Sequence, residues 1–338
     1  QNVFNWMLGQ INASHMGFRS GEFREDLQRE STGLLGIEVK PKNNGSLEVY
    51  AVTDGMPANR SASMLQIGDV ITSVNGTQLT KSKNAYGLFE GTANEKIYLE
   101  VKRGDATKEI VIRPKRSNRT ENYKAWVKER KRLTEKYSNG KLGYIHIQGM
   151  NWQSFEEFER ELTAAGLGKE GLVIDVRFNG GGWTTDYLMA VLTVKQHAYT
   201  VPRGSADNLE KEHTKFVNHY PFSERLPLAA WTKPSVAMCN YTSYSNAEIF
   251  SHAYKALGIG TLVGEPTFGA VISTGSARLM DGSSVRMPFR GWYVKDTQSN
   301  MELGPAVPDV LVTNNPDDKA KGEDSQLKKA VETLLSQL

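Results

Sequence analysis

The sequence predicts an α/β fold for its larger part, and an α+β chain overall. Two observations carry this. From residue 141 onward, short apolar runs alternate with amphipathic helical stretches, the βαβ rhythm of a largely parallel sheet with helices on its faces. Residues 33–115 differ, carrying short alternating runs separated by turn signals, the pattern of a small β-barrel.

The elements follow in order. In "NVFNWMLGQINASHMGF", Val3, Phe4, Met7, Leu8 and Ile11 share one helical face. One amphipathic helix cannot bury that face alone, so residues 1–32 are expected to be part of a truncated helical subdomain. "TGLLGIEVKPKNNGSLEVYAV" gives two strands joined by a turn. A short helical piece, a strand with a tight "VNG" turn, a helix at "NAYGLFEG" and the closing hairpin "EKIYLEVKRGDATKEIVIRP" complete the barrel. Residues 116–140 read as a charged helical connector. Residues 141–338 then place strands at "LGYIHIQG", "GLVIDVRF", "PSVAMCNY" and "TLVGEP". Helices fall at "WQSFEEFERELTAAG", "TDYLMAVLTV", "NAEIFSHAYKALG" and 324–337, with β-rich and coil structure from 271.

Bulk properties narrow the function. The 338 residues carry 41 basic and 38 acidic side chains, a net charge of +3, too balanced to imply a nucleic-acid partner. The basic run "KAWVKERKRLTEK" is interleaved with acids and reads as a solvated helix face. The single cysteine, Cys239, cannot form an internal disulfide and sits in an apolar strand, where a buried inert thiol is expected. Cys and His do not cluster, so neither a metal nor another cofactor is expected. No apolar run approaches the roughly 20 residues of a membrane span. The chain starts at Gln1, which leaves open an upstream segment and the compartment.

In such sheets, sites form beyond the carboxyl ends of strands. Two loops qualify, "NGGGW" (179–183) and "TSYSN" (242–246). Ser245 stands where strand turns to helix. The backbone N–H of Asn246 is unpaired there, and the positive end of the helix dipole favours an oxyanion. The glycine run lets the backbone approach a scissile carbonyl, which makes the Gly181 N–H the expected second donor, with Gly180 and Gly182 as neighbours. Taken alone, the stretch reads first as an ordinary N-cap by Ser243 or Ser245.

"YTSYSNAEIF…GIGTLVGEPTFG" resembles the nucleophile region of the C-terminal-processing and tricorn serine peptidases, and "LGYIHIQGM" and "VIDVRFNGGG" are similar to their core. "GLLGIEV…GMPANRS…LQIGDVITSVNG" resembles their PDZ domain. The resemblance covers almost the entire chain, in the expected order. It implies a crotonase-like protease core with an inserted, permuted PDZ β-barrel, and peptides or unfolded polypeptides as substrates. It makes Ser245 the nucleophile. The processing branch places its lysine base where this chain has Ala270, and Lys255 lies within the following helix. The tricorn branch uses a histidine preceded by a serine, present here as Ser14 and His15, and a glutamate shortly before a "PD" pair, present as Glu302 before Asp309. The implied machinery is a Ser–His–Ser–Glu tetrad.

Of the other histidines, His146 lies within a strand, His252 is expected to form a surface pair with Glu248, and His197, His213 and His219 lie in an irregular stretch. The PDZ-like loop Leu34, Leu35, Gly36 and Ile37 presents backbone N–H groups suited to a peptide carboxylate. Permutation leaves open whether that groove takes peptides. Also left open are assembly into a homo-oligomer and the compartment, cytoplasmic by resemblance or exported if a leader was removed. The rival reading is an inactive protease-fold scaffold that binds peptide C-termini.

Overall fold

The computed structural model describes residues 1–21, 31–217 and 230–338. His219 and the end of the 1–32 segment fall outside these. The chain divides into two compact units, residues 1–23 with 130–338, and residues 24–129.

The first unit is built on a five-stranded sheet. Its strands run in the order Val310–Leu311, Thr261–Gly264, Ser235–Cys239, Gly171–Asp175, Leu142–His146. Every pairing is parallel. All five residues of both Ser235–Cys239 and Gly171–Asp175 are buried. That explains their unbroken apolar character, because helices cover both faces of a parallel sheet. Helix Trp152–Gly166 buries Phe155, Phe158, Leu162 and Gly166 and starts at Asn151, whose side chain accepts from Ser154 N–H. Gly166 is required by packing, since a Cβ there would lie 2.6 Å from the Trp231 ring.

Below the strand ends, Arg177 is fully buried. Its guanidinium donates to both oxygens of Asp175, to Asp324 and to Gln326, and Tyr144 donates to Asp175 Oδ2 at 2.8 Å. Asp324 also caps helix Ser325–Leu335 through Leu327 N–H. A buried charge is tolerable only when paired this fully. The network ties the C-terminal helix to the strand that leads into the glycine loop. Cys239 is buried and its thiol is pushed up to about 12 by desolvation, as an inert thiol should be.

A separate three-stranded antiparallel sheet holds Gly17–Arg19, Ser284–Gly291 and Ile272–Arg278, with Ser284–Gly291 in the middle. Gly17 pairs with Arg286 and Phe18 with Val285. This sheet fastens the N-terminal segment to the unit. The N-terminal helix is shorter than its apolar periodicity suggested. It spans Asn2–Gly9, and none of its residues is buried. Asn12 and His15 take φ of +56° and +63°, so the chain leaves the helix in a turn that puts His15 off any helix.

The second unit is an antiparallel β-barrel-like sheet in which Ile37–Pro41, Leu47–Val52, Val70–Val74, Ile97–Arg103 and Ala106–Ile112 follow one another in space. Val49, Ile71, Leu99, Val101 and Ile112 form its core. "NAYGLFEG" is a 3₁₀ turn, Ala85–Phe89, rather than an α-helix. Between the edge strand Ile37–Pro41 and that turn lies a cavity of about 150 Å³, lined by Leu35, Ile37, Leu47, Ile71, Tyr86 and Phe89 among others. Gly36 (φ +82°) lies so close to Met56 that a Cβ would meet it at 2.1 Å. The Leu34 N–H is already used, donating to the Lys115 carbonyl at 2.8 Å.

Candidate active site

Strand Ser235–Cys239 ends in a tight turn, residues 240–245, before helix Asn246–Ala256. Asn240 and Ser243 knit that turn. Ser243 N–H donates to the Asn240 carbonyl, Asn240 N–H to Ser243 Oγ, and Ser243 Oγ to the Val176 carbonyl at 2.8 Å. Ser243 is therefore fully buried and spent on structure. Ser245 follows with φ +58° and ψ −120°, a conformation a non-glycine residue holds only under constraint.

That constraint is Glu248. Its side chain is fully buried. Oε1 accepts from Ser245 N–H and Ala270 N–H, each at 2.9 Å, while Oε2 accepts from Thr267 Oγ1 at 2.8 Å and from Gly269 N–H. One carboxylate thus locks the Ser245 turn to loop 267–270. His252 does not pair with Glu248 at the surface as expected. Its Nε2 lies 3.1 Å from the Gly304 carbonyl. Lys255 is occupied by Asp309 at 2.9 Å, and Ala270 is buried.

The glycine loop packs directly on Ser245. Gly181 has φ +89°, and a Cβ there would lie 2.7 Å from Ser245 Cβ and 2.9 Å from Asn246 N. Only glycine permits this approach. Asn246 N–H has no hydrogen-bond partner among the described residues, whereas its side chain and carbonyl are bonded to Thr185. Gly181 N–H, expected as the second donor, is instead held by Asn179 Oδ1 at 2.9 Å, the local turn an asparagine forms two residues ahead of itself. Among the described residues, Gly180 and Gly182 N–H donate to nothing.

Ser14, His15 and Glu302 come together from opposite ends of the chain. Ser14 N–H donates to Glu302 Oε1 at 2.8 Å and Ser14 Oγ to Oε2 at 2.9 Å. Ser14 Oγ lies 2.7 Å from His15 Nδ1. A carboxylate only accepts, so the one hydroxyl proton of Ser14 goes to Glu302, and Nδ1–H must donate to Ser14 Oγ. His15 Nε2 then carries the lone pair; it is buried and lacks a hydrogen-bond partner among the described residues. Burial, reinforced by the Arg286 charge and opposed by Glu302, holds the imidazole below its ordinary pKa, so it is neutral near pH 7. The His15 ring stacks on Tyr244, with centroids 4.6 Å apart. Tyr244 immediately precedes Ser245.

The model of peptidase family S41 matches residues 141–312, just over half of the chain. The chain belongs to peptidase family S41. The PDZ domain model matches residues 33–113. This S41 chain is 27% identical over 340 residues to the tricorn protease of Thermoplasma volcanium, an alignment covering 98% of the chain and 31% of that protein. It is 30% identical over 344 residues to tricorn protease homolog 1 of Streptomyces coelicolor, covering 98% of the chain and 30% of the homolog. The crystal structure of the tricorn protease superposes with a TM-score of 0.79 at 24% identity, over 98% of this chain and 31% of that one, a likeness of fold. The S41 chain therefore spans about a third of the length of these relatives.

Two residues of the site escaped the reading of the sequence. Glu248 looked like a surface acid on a helix, although Ser245-x-x-Glu248 is the spacing of a capping box and marked its role. Tyr244 carried no signal beyond standing next to Ser245. Among the described residues no group of His, Cys, Asp and Glu could hold a metal ion, and no helix is long and apolar enough to cross a membrane.

Proposed function

We propose that this chain is a serine peptidase that hydrolyses peptide bonds in peptides or unfolded polypeptides through a Ser245–His15–Ser14–Glu302 tetrad. The observation that carries the reading is the run of short contacts from Glu302 through Ser14 to His15 Nδ1, which leaves His15 Nε2 as a buried, unpartnered acceptor.

A serine hydroxyl is a poor nucleophile near pH 7 and needs a base. His15 Nε2 takes the Ser245 Oγ proton as Oγ bonds to the scissile carbonyl carbon. The carbonyl oxygen, now negative, is held by the Asn246 N–H and a donor from the glycine loop. Because Asn179 occupies the Gly181 N–H, the free N–H groups of Gly180 and Gly182 are the available second donors. The imidazolium returns its proton to the leaving nitrogen and the C–N bond breaks, leaving an ester on Ser245. Water then attacks the ester, gives its proton to Nε2, and Ser245 Oγ regains it as the acid departs. Glu302 acts through Ser14, countering the positive charge that forms on His15. The PDZ unit, with its cavity beside the Leu34–Ile37 loop, is a candidate holder of peptide C-termini through Leu35, Gly36 and Ile37.

Labelling with a fluorophosphonate serine probe tests the reading. Wild-type protein should be modified at Ser245 and should cleave unstructured peptides, and Ser245→Ala should do neither. Wild-type protein inert to both probe and peptides would overturn it.

A further inference from the structure

We infer that Tyr244 is a positioning residue for His15, tying the imidazole to the nucleophile's own turn and holding it in the Nδ1–H form. The inference rests on the reading of His15 as the general base. Tyr244 Oη lies 3.2 Å from His15 Nδ1 and the two rings stack at 4.6 Å with 27° between their planes.

The proton count fixes the directions. Ser14 Oγ–H goes to Glu302, and Nδ1–H goes to Ser14 Oγ. Tyr244 Oη therefore accepts a share of the same Nδ1–H. Both contacts favour a proton on Nδ1, and both strengthen when the ring becomes an imidazolium.

The tyrosine is well placed for this because it cannot move independently of Ser245. Its N–H donates to the Asn179 carbonyl at 3.0 Å and its carbonyl accepts from Ala247 N–H at 3.1 Å. Phe268 braces the outer edge of its ring in a T-shaped contact at 5.0 Å. Ser14 and His15 are otherwise attached through the three-stranded sheet and through Glu302, whose neighbour Leu303 reaches the Ser245 turn only by way of loop 267–270, donating to the Gly269 carbonyl at 2.8 Å. Tyr244 is the side chain that references the base directly to the residue beside the nucleophile. The charged and polar groups around His15 are then Ser14 on its own segment, Tyr244 on the turn, Glu302 on its loop and Arg286 on strand Ser284–Gly291.

Tyr244→Phe keeps the stack and the Phe268 contact and removes only the hydroxyl. It should lower kcat roughly tenfold, the scale of one lost hydrogen bond to a charged group, with KM and thermal midpoint unchanged. The acid limb of the kcat/KM profile should move to lower pH, because the imidazolium loses an acceptor while the neutral base loses less. Tyr244→Leu, which also loses the stack, should lose more of kcat. A ¹⁵N spectrum of histidine-labelled wild-type protein, assigned against His15→Gln, should show Nδ1 protonated and Nε2 bare. Unchanged kcat and acid limb in Tyr244→Phe, or an Nε2–H form of His15 in the spectrum, would overturn the inference. Failure of the peptidase reading looks different: wild-type protein would then ignore probe and peptides, while the spectrum would still decide the role of Tyr244.

Discussion

The two halves of the site use the same residue type in opposite ways. In the half around Ser245, Glu248 is sealed from water and spends its carboxylate on Ser245, Thr267, Gly269 and Ala270, residues within 22 positions of it. In the half around His15, Glu302 is only partly buried and reaches Ser14, 288 positions away, through two bonds. Glu248 hydrogen-bonds backbone N–H groups and one hydroxyl, none of which titrates, so those bonds serve to hold a strained turn. Glu302 faces a hydroxyl that leads to an imidazole, so its charge acts on a group that changes protonation. What a carboxylate can do in this site depends on what lies at the far end of its hydrogen bonds.

The sharpest way to break this contrast begins with the reacting atoms. Ser245→Ala should cost roughly 10⁴–10⁶ in peptide hydrolysis with an unchanged fold, measured by kcat and circular dichroism. His15→Ala should fall comparably, and probe labelling should fall with it, since the hydroxyl loses its activator. A Ser243→Ala variant that loses the chemistry while Ser245→Ala keeps it would move the nucleophile two residues.

Next comes the scaffold carboxylate. Glu248→Ala leaves the Ser245, Gly269 and Ala270 N–H groups buried without an acceptor and should destabilise the protein by about 3 kcal/mol or more, read from denaturant unfolding. Glu302→Gln should leave that unfolding curve almost unmoved and instead lower kcat with little change in KM, because the charge that counters the imidazolium is gone. Ser14→Ala should show a similar loss, and the double variant should be scarcely worse than either, because both remove one relay. A stability loss in Glu302→Gln matching that of Glu248→Ala would erase the distinction.

The smallest effect is on pH dependence. Burial and Arg286 disfavour the charged imidazole, so activity should rise with pH through a group below the ordinary histidine value of about 6.5. Glu302 opposes those two influences, so Glu302→Gln should shift the acid limb to still lower pH, and Arg286→Gln should shift it upward. An acid limb that ignores both variants would mean His15 is not the group being titrated.

The α/β character of 141–338 and the buried strands were legible because hydrophobic periodicity is local, and burial on two faces leaves an unbroken apolar run. The glycine loop and the Ser245 turn were legible for a similar reason: each lies at the end of such a run. His15 was less so. Its segment has helical periodicity as far as Ile11, yet the helix ends at Gly9 and none of its residues is buried. What organises the segment is the pairing of Gly17 with Arg286.

By itself, then, the sequence determined the strand–helix order, the two candidate loops and, through resemblance, which serine and histidine to set beside each other. Tertiary structure alone decided that Glu248 is a buried clamp rather than a surface acid, that Asn179 occupies the Gly181 N–H, and that Tyr244 lies on the His15 ring. The Asn179 turn and the Ser245–Glu248 spacing are local, but the convergence of loop 267–270 on the Glu248 carboxylate and of Tyr244 on the His15 ring depends on segments brought together across the fold, which no local pattern records.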